Sequence, residues 1–452
     1  MLKRKIEEKL ELWWKSNTAL FIDGARQVGK TFILEEFAKK KTNNYVYLNL
    51  VDRVGDIGQL IKNQDAKSFI FNLSTIIDKP LIKNDTIIFL DDIQQISIYM
   101  TEHNIPKMDF DLITLMKFLV QEGSYRFILS GSLLGVNLSD VISWPTGYMT
   151  CYTMYPLDFE EFLWANGINQ SIIDEVKRCF ENRTMVDEYI NNKFLELFSK
   201  YILIGGMPQA VNNYVNYNDF NMVELAHQNI EQYNRRDITK YASKDNKLII
   251  ANVYDLLPEE LNKQNKRFTL SLLANKNNHD LVENSFLWLT NAGISIAVYC
   301  VDEPKAPLRI ARNRRLLKLF HEDVGLLTYI YMDSRLKNKI LNNEANVNFG
   351  AVYENVVAQL LRCHGFENLY YLNSKTLGEI DFLIEYRGKV LPLEIKSGKD
   401  YTIHSAANKI LENKNFDIDE VLIFNNRSNT KIDGNKIYLP IYMVDFIHKN
   451  GS

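Results

Sequence analysis

The chain has 452 residues, too many for one hydrophobic core, so two or three domains are expected. Its 46% hydrophobic and 24% charged content is ordinary for soluble globular protein. A net charge of −3 excludes nucleic-acid binding by overall charge, so any such surface must be local.

No run approaches the roughly 18 apolar residues that span a bilayer. The charged N-terminal turns lack the apolar segment of a signal peptide. Cys151, Cys179, Cys300 and Cys363 are scattered, with no Cys-x-x-Cys pair. They read as reduced core residues of a cytoplasmic protein without a membrane contact.

Residues 1–18 fit an amphipathic helix ending near Ser16 and Asn17, and the apolar run 19–22 fits a first strand. Gly24, Ala25, Arg26, Gln27, Val28, Gly29, Lys30 and Thr31 follow, a complete Gly-x-x-x-x-Gly-Lys-Thr phosphate loop, and a helical pattern continues to Lys40. The glycines let successive N–H groups face a phosphate, and the helix start adds partial positive charge. Lys30 can reach the β- and γ-phosphates of ATP, and the Thr31 hydroxyl suits Mg²⁺. Residues 45–50 alternate as a strand and 68–77 read as a helix. The continuous apolar run 86–90 reads as a strand buried on both faces, and it ends in Asp91 and Asp92. Ligands of open α/β sheets sit at the carboxyl ends of strands, so Asp91 is expected to support Mg²⁺ and Asp92 to polarise the attacking water. A further strand, 126–130, ends in Ser130, Gly131 and Ser132, whose two hydroxyls are candidate γ-phosphate sensors. Strands alternating with helices predict a parallel three-layer sandwich.

These residues, with Leu90 to Gln94, 129–132, 155–162, 201–210 and 233–240, resemble the AAA-type ATPases of prokaryotes related to the archaeal ATPases and, more distantly, to the STAND signalling ATPases. The resemblance implies a P-loop ATPase core and a helical lid over 155–243. Two positions depart from it. Asp92 stands where the family usually has Glu, and Tyr148 follows Gly147 where Lys or Arg is usual. Arg235 and Arg236, at the end of the lid, are candidates to supply the missing charge as a finger on the γ-phosphate. They equally fit a solvated helix face with local ion pairs.

Helical patterns over 246–261, 268–274 and 281–291, then an apolar strand at 293–300, give the outline of a winged helix-turn-helix, a module that binds DNA or docks protein. A basic stretch follows, holding Arg309, Arg312, Arg314, Arg315 and Lys318. It fits DNA phosphates, or a face that neutralises the rest of the chain.

The last segment reads helix (349–362), strand (369–372), strand (378–385), strand (390–398), helix (406–411), strand (421–424). Glu394 and Lys396, two apart on a strand, share a face, and a hairpin brings Asp381 beside them. Asp381 and Glu394 can hold Mg²⁺. Lys396 can orient water for attack on a phosphodiester, and Glu354 can complete the metal shell. This arrangement resembles the PD-(D/E)xK nuclease fold.

The expected architecture is α/β multidomain: an AAA-type ATPase core at 1–153, a helical lid at 154–245, a winged-helix module at 246–305 and a restriction-endonuclease-like domain at 306–450. The expected function is ATP binding and hydrolysis coupled to DNA binding or cleavage, in defence or mobile-element biology. The alternative is a signalling or scaffold ATPase whose nuclease-like domain only binds a partner. A homo-oligomer is compatible with either.

Overall fold

The computed structural model describes residues 2–131, 145–241, 246–263, 266, 279–342, 344, 350–396 and 404–449. Of the expected features, Ser132 and the helix at 268–274 lie outside the described residues, as do the side chains of Arg314 and Arg315.

The chain divides into two compact units. One comprises Lys3–Tyr155 with Asn291–Gly293; the other holds Pro156–Thr290 and Ile294–Ser452. Four modules were expected. The lid, winged-helix and nuclease-like segments fall together in the second unit.

The first unit is built on β1 (Ala19–Gly24), β2 (Tyr45–Asn49), β3 (Ile87–Asp91), β4 (Arg126–Ser130) and β5 (Met149–Met154). The order is β2-β3-β4-β1-β5, with each neighbouring pair parallel. Helices Lys30–Lys41, Ala66–Ile76 and Leu112–Glu122 connect the strands. Asp65 and Asp111 cap the latter two helices by accepting first-turn N–H groups. Every residue of β3 is buried, as its unbroken apolar run predicts. The core joins Phe21, Leu48, Leu90, Phe69, Met116 and Leu129. Because β4 lies between β3 and β1, the carboxyl ends of all three strands meet the loop after β1.

The second unit opens with helices Phe159–Ala165, Gln170–Asn182, Glu188–Ile204, Pro208–Tyr217 and Phe220–Tyr241, in agreement with the helical reading of 155–243. Phe159, Phe162, Phe198 and Tyr201 form its aromatic centre. Its sheet holds β6 (Ser295–Val301), β7 (Arg312–His321), β8 (Leu369–Ser374), β9 (Gly378–Tyr386), β10 (Lys389–Lys396), β11 (Val421–Asn425), β12 (Lys431–Asp433) and β13 (Lys436–Pro440). Their order is β12-β13-β11-β10-β9-β8-β6-β7.

This corrects the winged-helix outline. The strand expected as a wing is β6, buried along its whole length and paired parallel to β8 and antiparallel to β7. Seven consecutive buried residues need cover on both faces, which a two-stranded wing does not give. From helix Gly350–Cys363 through β11, the element order is the one read from sequence. The cysteines also differ from expectation: Cys300 is a core residue, but Cys151 is exposed.

Candidate functional site

The phosphate loop leaves β1 at Gly24, whose backbone has φ of +142°. A Cβ there would stand 2.2 Å from the carbonyl oxygen of Met154, so no larger residue fits. Gly29 is left-handed, with φ of +93°, at the N-cap of helix Lys30–Lys41. No side chain caps that helix start, so its first-turn N–H groups remain for an anion. Gln27 and Asp92 are also left-handed, at φ of +63° and +57°. Two non-glycine residues in that region beside one loop mark a held conformation of the kind that clusters at functional sites.

Lys30 turns back onto its own loop. Its Nζ donates to the carbonyl oxygens of Gly24 at 3.0 Å and Ala25 at 2.8 Å. Burial pulls its pKa down to about 8, against the opposing pull of Asp92 and Asp91.

Asp91 is the hub. It is buried, and its carboxylate accepts from four neutral donors. The Thr31 hydroxyl at 2.8 Å and the Tyr47 hydroxyl at 2.9 Å reach Oδ2; the Ser130 hydroxyl and the Asp92 N–H at 3.1 Å reach Oδ1. The topology explains the set: Ser130 ends the strand between Asp91 and the loop, and Tyr47 lies on the neighbouring β2. Thr31 spends its proton on Asp91, so its lone pairs remain for a cation. This donor set fits Mg²⁺ bound to a nucleotide, with Thr31 as oxygen ligand and Asp91 behind it. Asp92 Oδ1 accepts from Gln94 Nε2 at 2.7 Å, which fixes the carboxylate expected to polarise water.

Three supports were not foreseen. Tyr47 and Gln94 hold the two carboxylates, and Arg4 donates to the carbonyls of Val28 at 3.0 Å and Tyr155 at 2.7 Å, tying down the loop. An alternating strand gives Tyr47 its face, but no local signal gives its partner. A cavity of about 530 Å³ lies at the opposite, amino end of the strands, lined by residues including Trp14, Thr86 and Arg126.

Tyr148 precedes β5, which runs parallel to β1 with Met149 opposite Ala19 and Met154 opposite Gly24. Position 148 is therefore at the far end of the sheet, about 17 Å along the strand from the loop of its own chain. Its hydroxyl accepts from Gln121 Nε2 at 2.8 Å. Arg235 pairs with Glu231 and, at 2.7 Å, with Asp255. Its guanidinium is already matched by two carboxylates within its own unit. Arg236 is exposed and lies over the Tyr233 ring.

In the second unit the expected nuclease-like residues fall into two clusters. Glu354 and Asp381 keep company with Lys318, Lys266 and Glu379. Lys318 Nζ is 2.9 Å from Glu379 and 3.5 Å from Glu354, and Lys266 pairs with the other Glu354 oxygen. Burial would raise the Glu354 pKa, but the two lysines outweigh it and hold the carboxyl below its ordinary range. Asp381 is pushed up to about 7 by burial and by the Glu354 carboxylate, although it accepts the Ile395 N–H at 2.7 Å. Glu394 forms the other cluster: its Oε2 is 3.1 Å from Lys396 Nζ and 2.7 Å from Nδ1 of the buried His404. His404 was not singled out from sequence.

Among the described residues, the one group of three ligand-type side chains whose ligand atoms all lie within 4.8 Å is Asp158, His364 and Asp445. Asp158 caps helix Phe159–Ala165, and Asp445 accepts the Phe159 N–H. Glu354, Asp381 and Glu394 do not converge in that way. Glu354 is turned to lysines, Glu394 to Lys396 and His404, and Asp381 to the Ile395 N–H, so the side chains present do not fit the divalent metal that the nuclease resemblance implies.

The basic stretch does not form one face. Arg309 is exposed and the Arg312 guanidinium lies 3.3 Å from the centre of the Tyr299 ring, but Lys318 is 1% exposed. A strand sends alternate side chains to opposite faces, and β7 turns Lys318 into the acidic cluster. Lys318 is corrected from a DNA contact to an internal counter-charge.

The phosphate loop, the acid at the end of β3 and the serine at the end of β4 define a P-loop nucleotide site on a parallel sheet. Residues 16–163 match the family model described as an AAA domain, so this part of the chain is of the AAA type. Residues 195–339 and 349–444 match two further models, each described as a domain of unknown function. No curated protein matches the sequence. Among solved structures, the chain is similar to a Walker-type ATPase of Pyrococcus abyssi, at 15% identity and TM-score 0.40, covering 74% of this chain and 96% of that one. It is also similar to AMPPCP-bound DnaA from Aquifex aeolicus, at 14% identity and TM-score 0.27, covering 63% and 76%. Drosophila ORC bound to DNA aligns at 15% identity and TM-score 0.28, covering 70% and 92%.

Proposed function

We propose that the chain is an ATP-driven switch. Its AAA-type unit binds and hydrolyses ATP, and the nucleotide state sets how the second unit engages DNA. The observation that carries the first half is Asp91, buried and oriented by Thr31, Tyr47 and Ser130 beside a preformed phosphate loop. Lys30 and the N–H groups of the loop and helix start would hold the phosphates. Thr31 would hold Mg²⁺, which when bound draws charge from the phosphate oxygens. Asp92, fixed by Gln94, would accept a proton from the attacking water.

For the second unit, the side-chain pairing speaks against cleavage and leaves binding without cutting as the reading. Each carboxylate that would hold a catalytic metal is turned to a lysine, a histidine or a backbone N–H. The cleavage reading rests on Asp381, Glu394 and Lys396 lying on adjacent strands. Two assays test the proposal. Lys30→Ala should abolish ATP binding, and undiminished binding would refute the nucleotide site. Wild-type protein with plasmid, ATP and Mg²⁺ should retain DNA in a salt-dependent way without nicking it. Nicking that disappears in both Asp381→Ala and Lys396→Ala would restore the cleavage reading.

A further inference from the structure

Lys318 enters the acidic cluster from β7, on the far side of the sheet order from the hairpin that carries Asp381. It is 1% exposed, and its ammonium lies 4.8 Å from the centre of the Tyr371 ring as well as against Glu379 and Glu354. Burying a lysine costs its hydration, so a chain keeps one inside only where fixed partners replace the water. Here those partners are carboxylates, and the aromatic face adds to them. Lys266 covers the second oxygen of Glu354. Around the expected nuclease residues, Glu354 and Glu379 meet Lys266 and Lys318, and Glu394 separately meets Lys396 and His404. Lysines supply the counter-charge to Glu354 without any ion.

A divalent cation needs several oxygens converging at about 2.0–2.6 Å and tolerates no ammonium among them. We propose that Lys318, with Lys266, takes the place of a divalent cation in this pocket, so that the second unit excludes metal and works without cutting a phosphodiester. This rests on the binding reading given above for the second unit. It goes further by naming the groups that keep the metal out, and by predicting that their removal admits one.

The test is Mn²⁺ binding to the nucleotide-free, full-length protein, followed by electron paramagnetic resonance, in which bound Mn²⁺ loses its free-ion signal. Wild type should bind weakly at best. Lys318→Met should raise Mn²⁺ affinity at least about tenfold, because it leaves buried carboxylates without their counter-charge. Adding Asp381→Asn should remove the gain. If circular dichroism shows that Lys318→Met does not fold, Lys266→Met, at a more accessible position, is read in the same way. Tight Mn²⁺ binding by wild type that is lost on Asp381→Asn overturns the proposal. So does a folded lysine variant that gains no affinity. ATP hydrolysis is measured on the same preparations. Its absence from wild type that excludes Mn²⁺ sinks the switch but leaves this inference standing. Tight Mn²⁺ binding by wild type that is lost on Asp381→Asn, with intact hydrolysis, does the reverse.

Discussion

Each unit gathers acidic side chains, Asp91 and Asp92 at the end of β3 in one and Glu354, Asp381 and Glu394 from a helix and two strands in the other, yet they neutralise them differently. In the AAA-type unit, Asp91 accepts hydrogen bonds from three hydroxyls and one amide, all neutral. Those donors orient the carboxylate and leave its charge available to a cation. In the second unit, Glu354 and Glu394 are met by Lys266, Lys318, Lys396 and His404. The charge there is already used. Acidic side chains are therefore left without a counter-charge in one place and paired with cationic groups in the other. What decides is whether the partners are neutral or cationic, and that is a property of contacts far apart in sequence.

The sharpest way to break this contrast is to neutralise one acid in each unit. Asp91→Asn should lower ATP hydrolysis on the order of 100-fold or more, since the amide cannot support the cation and its N–H₂ opposes the hydroxyl donors. Asp381→Asn should leave hydrolysis within about twofold of wild type, as a change outside the nucleotide machinery. Steady-state hydrolysis rates settle both. Comparable losses in the two variants would erase the distinction between the units.

A smaller effect tests whether neutral orientation of Asp91 matters. Tyr47→Phe keeps the ring and removes one donor. Hydrogen bonds to charged groups contribute roughly 1.5–3 kcal/mol, and the three remaining donors retain part of that. Hydrolysis should fall roughly three- to tenfold with nucleotide affinity little changed. An unchanged rate would show that Thr31, Ser130 and the Asp92 N–H suffice.

The pH dependence of nucleotide binding probes the same unit. Lys30 has its pKa drawn down to about 8 by burial. Its protonated form is the one that attracts phosphate, so ATP affinity should decline as pH rises through about 8 and be steady below it. In Lys30→Arg the guanidinium stays charged over this range, so the decline should vanish even if binding is weaker overall. Titration at pH 6.5, 7.5 and 8.5 reads the difference.

Much of the first unit was legible because its signals are local. The phosphate loop is eight consecutive residues, and the buried strand before Asp91 declares itself by an unbroken apolar run. Ser130 follows from the same rule of strand ends. Tyr47 and Arg4 were not legible, because their partners lie at other points of the chain; Gln94 lies two residues from its partner Asp92, but spacing alone does not show that its amide turns back to that carboxylate. In the second unit the element order from Gly350 to Asn425 was readable from alternation and turns. The error there was to read the basic stretch as a surface: a strand alternates, and Lys318 was on the inward side. The winged-helix outline failed for a related reason. A short apolar strand looks the same whether it forms a wing or the seventh strand of a sheet, and only its pairing with β8 decides.

The smallest expected effect concerns stability, and it comes from the acidic cluster of the second unit. Asp381 has its pKa pushed up to about 7, by burial first and by Glu354 second, with Lys318, Lys266 and the Ile395 N–H pulling the other way. An acid with a raised native pKa binds its proton more tightly when folded than when unfolded. Between the unfolded value near 4 and about 7, the native state holds more protons, so this group's contribution to stability falls as pH rises, and above about 7 the loss is complete. Asp381→Asn mimics the protonated form and can still accept from Ile395 N–H. It should therefore stabilise the protein at pH 8, by about 2 °C in Tm after allowance for partial solvent exposure, and have little effect at pH 4.5. Thermal unfolding at the two pH values checks the sign. A destabilisation at pH 8 that shrinks at pH 4.5 would mean that Asp381 is an ordinary paired carboxylate, held down by Lys318, with Glu354 and burial counting for little.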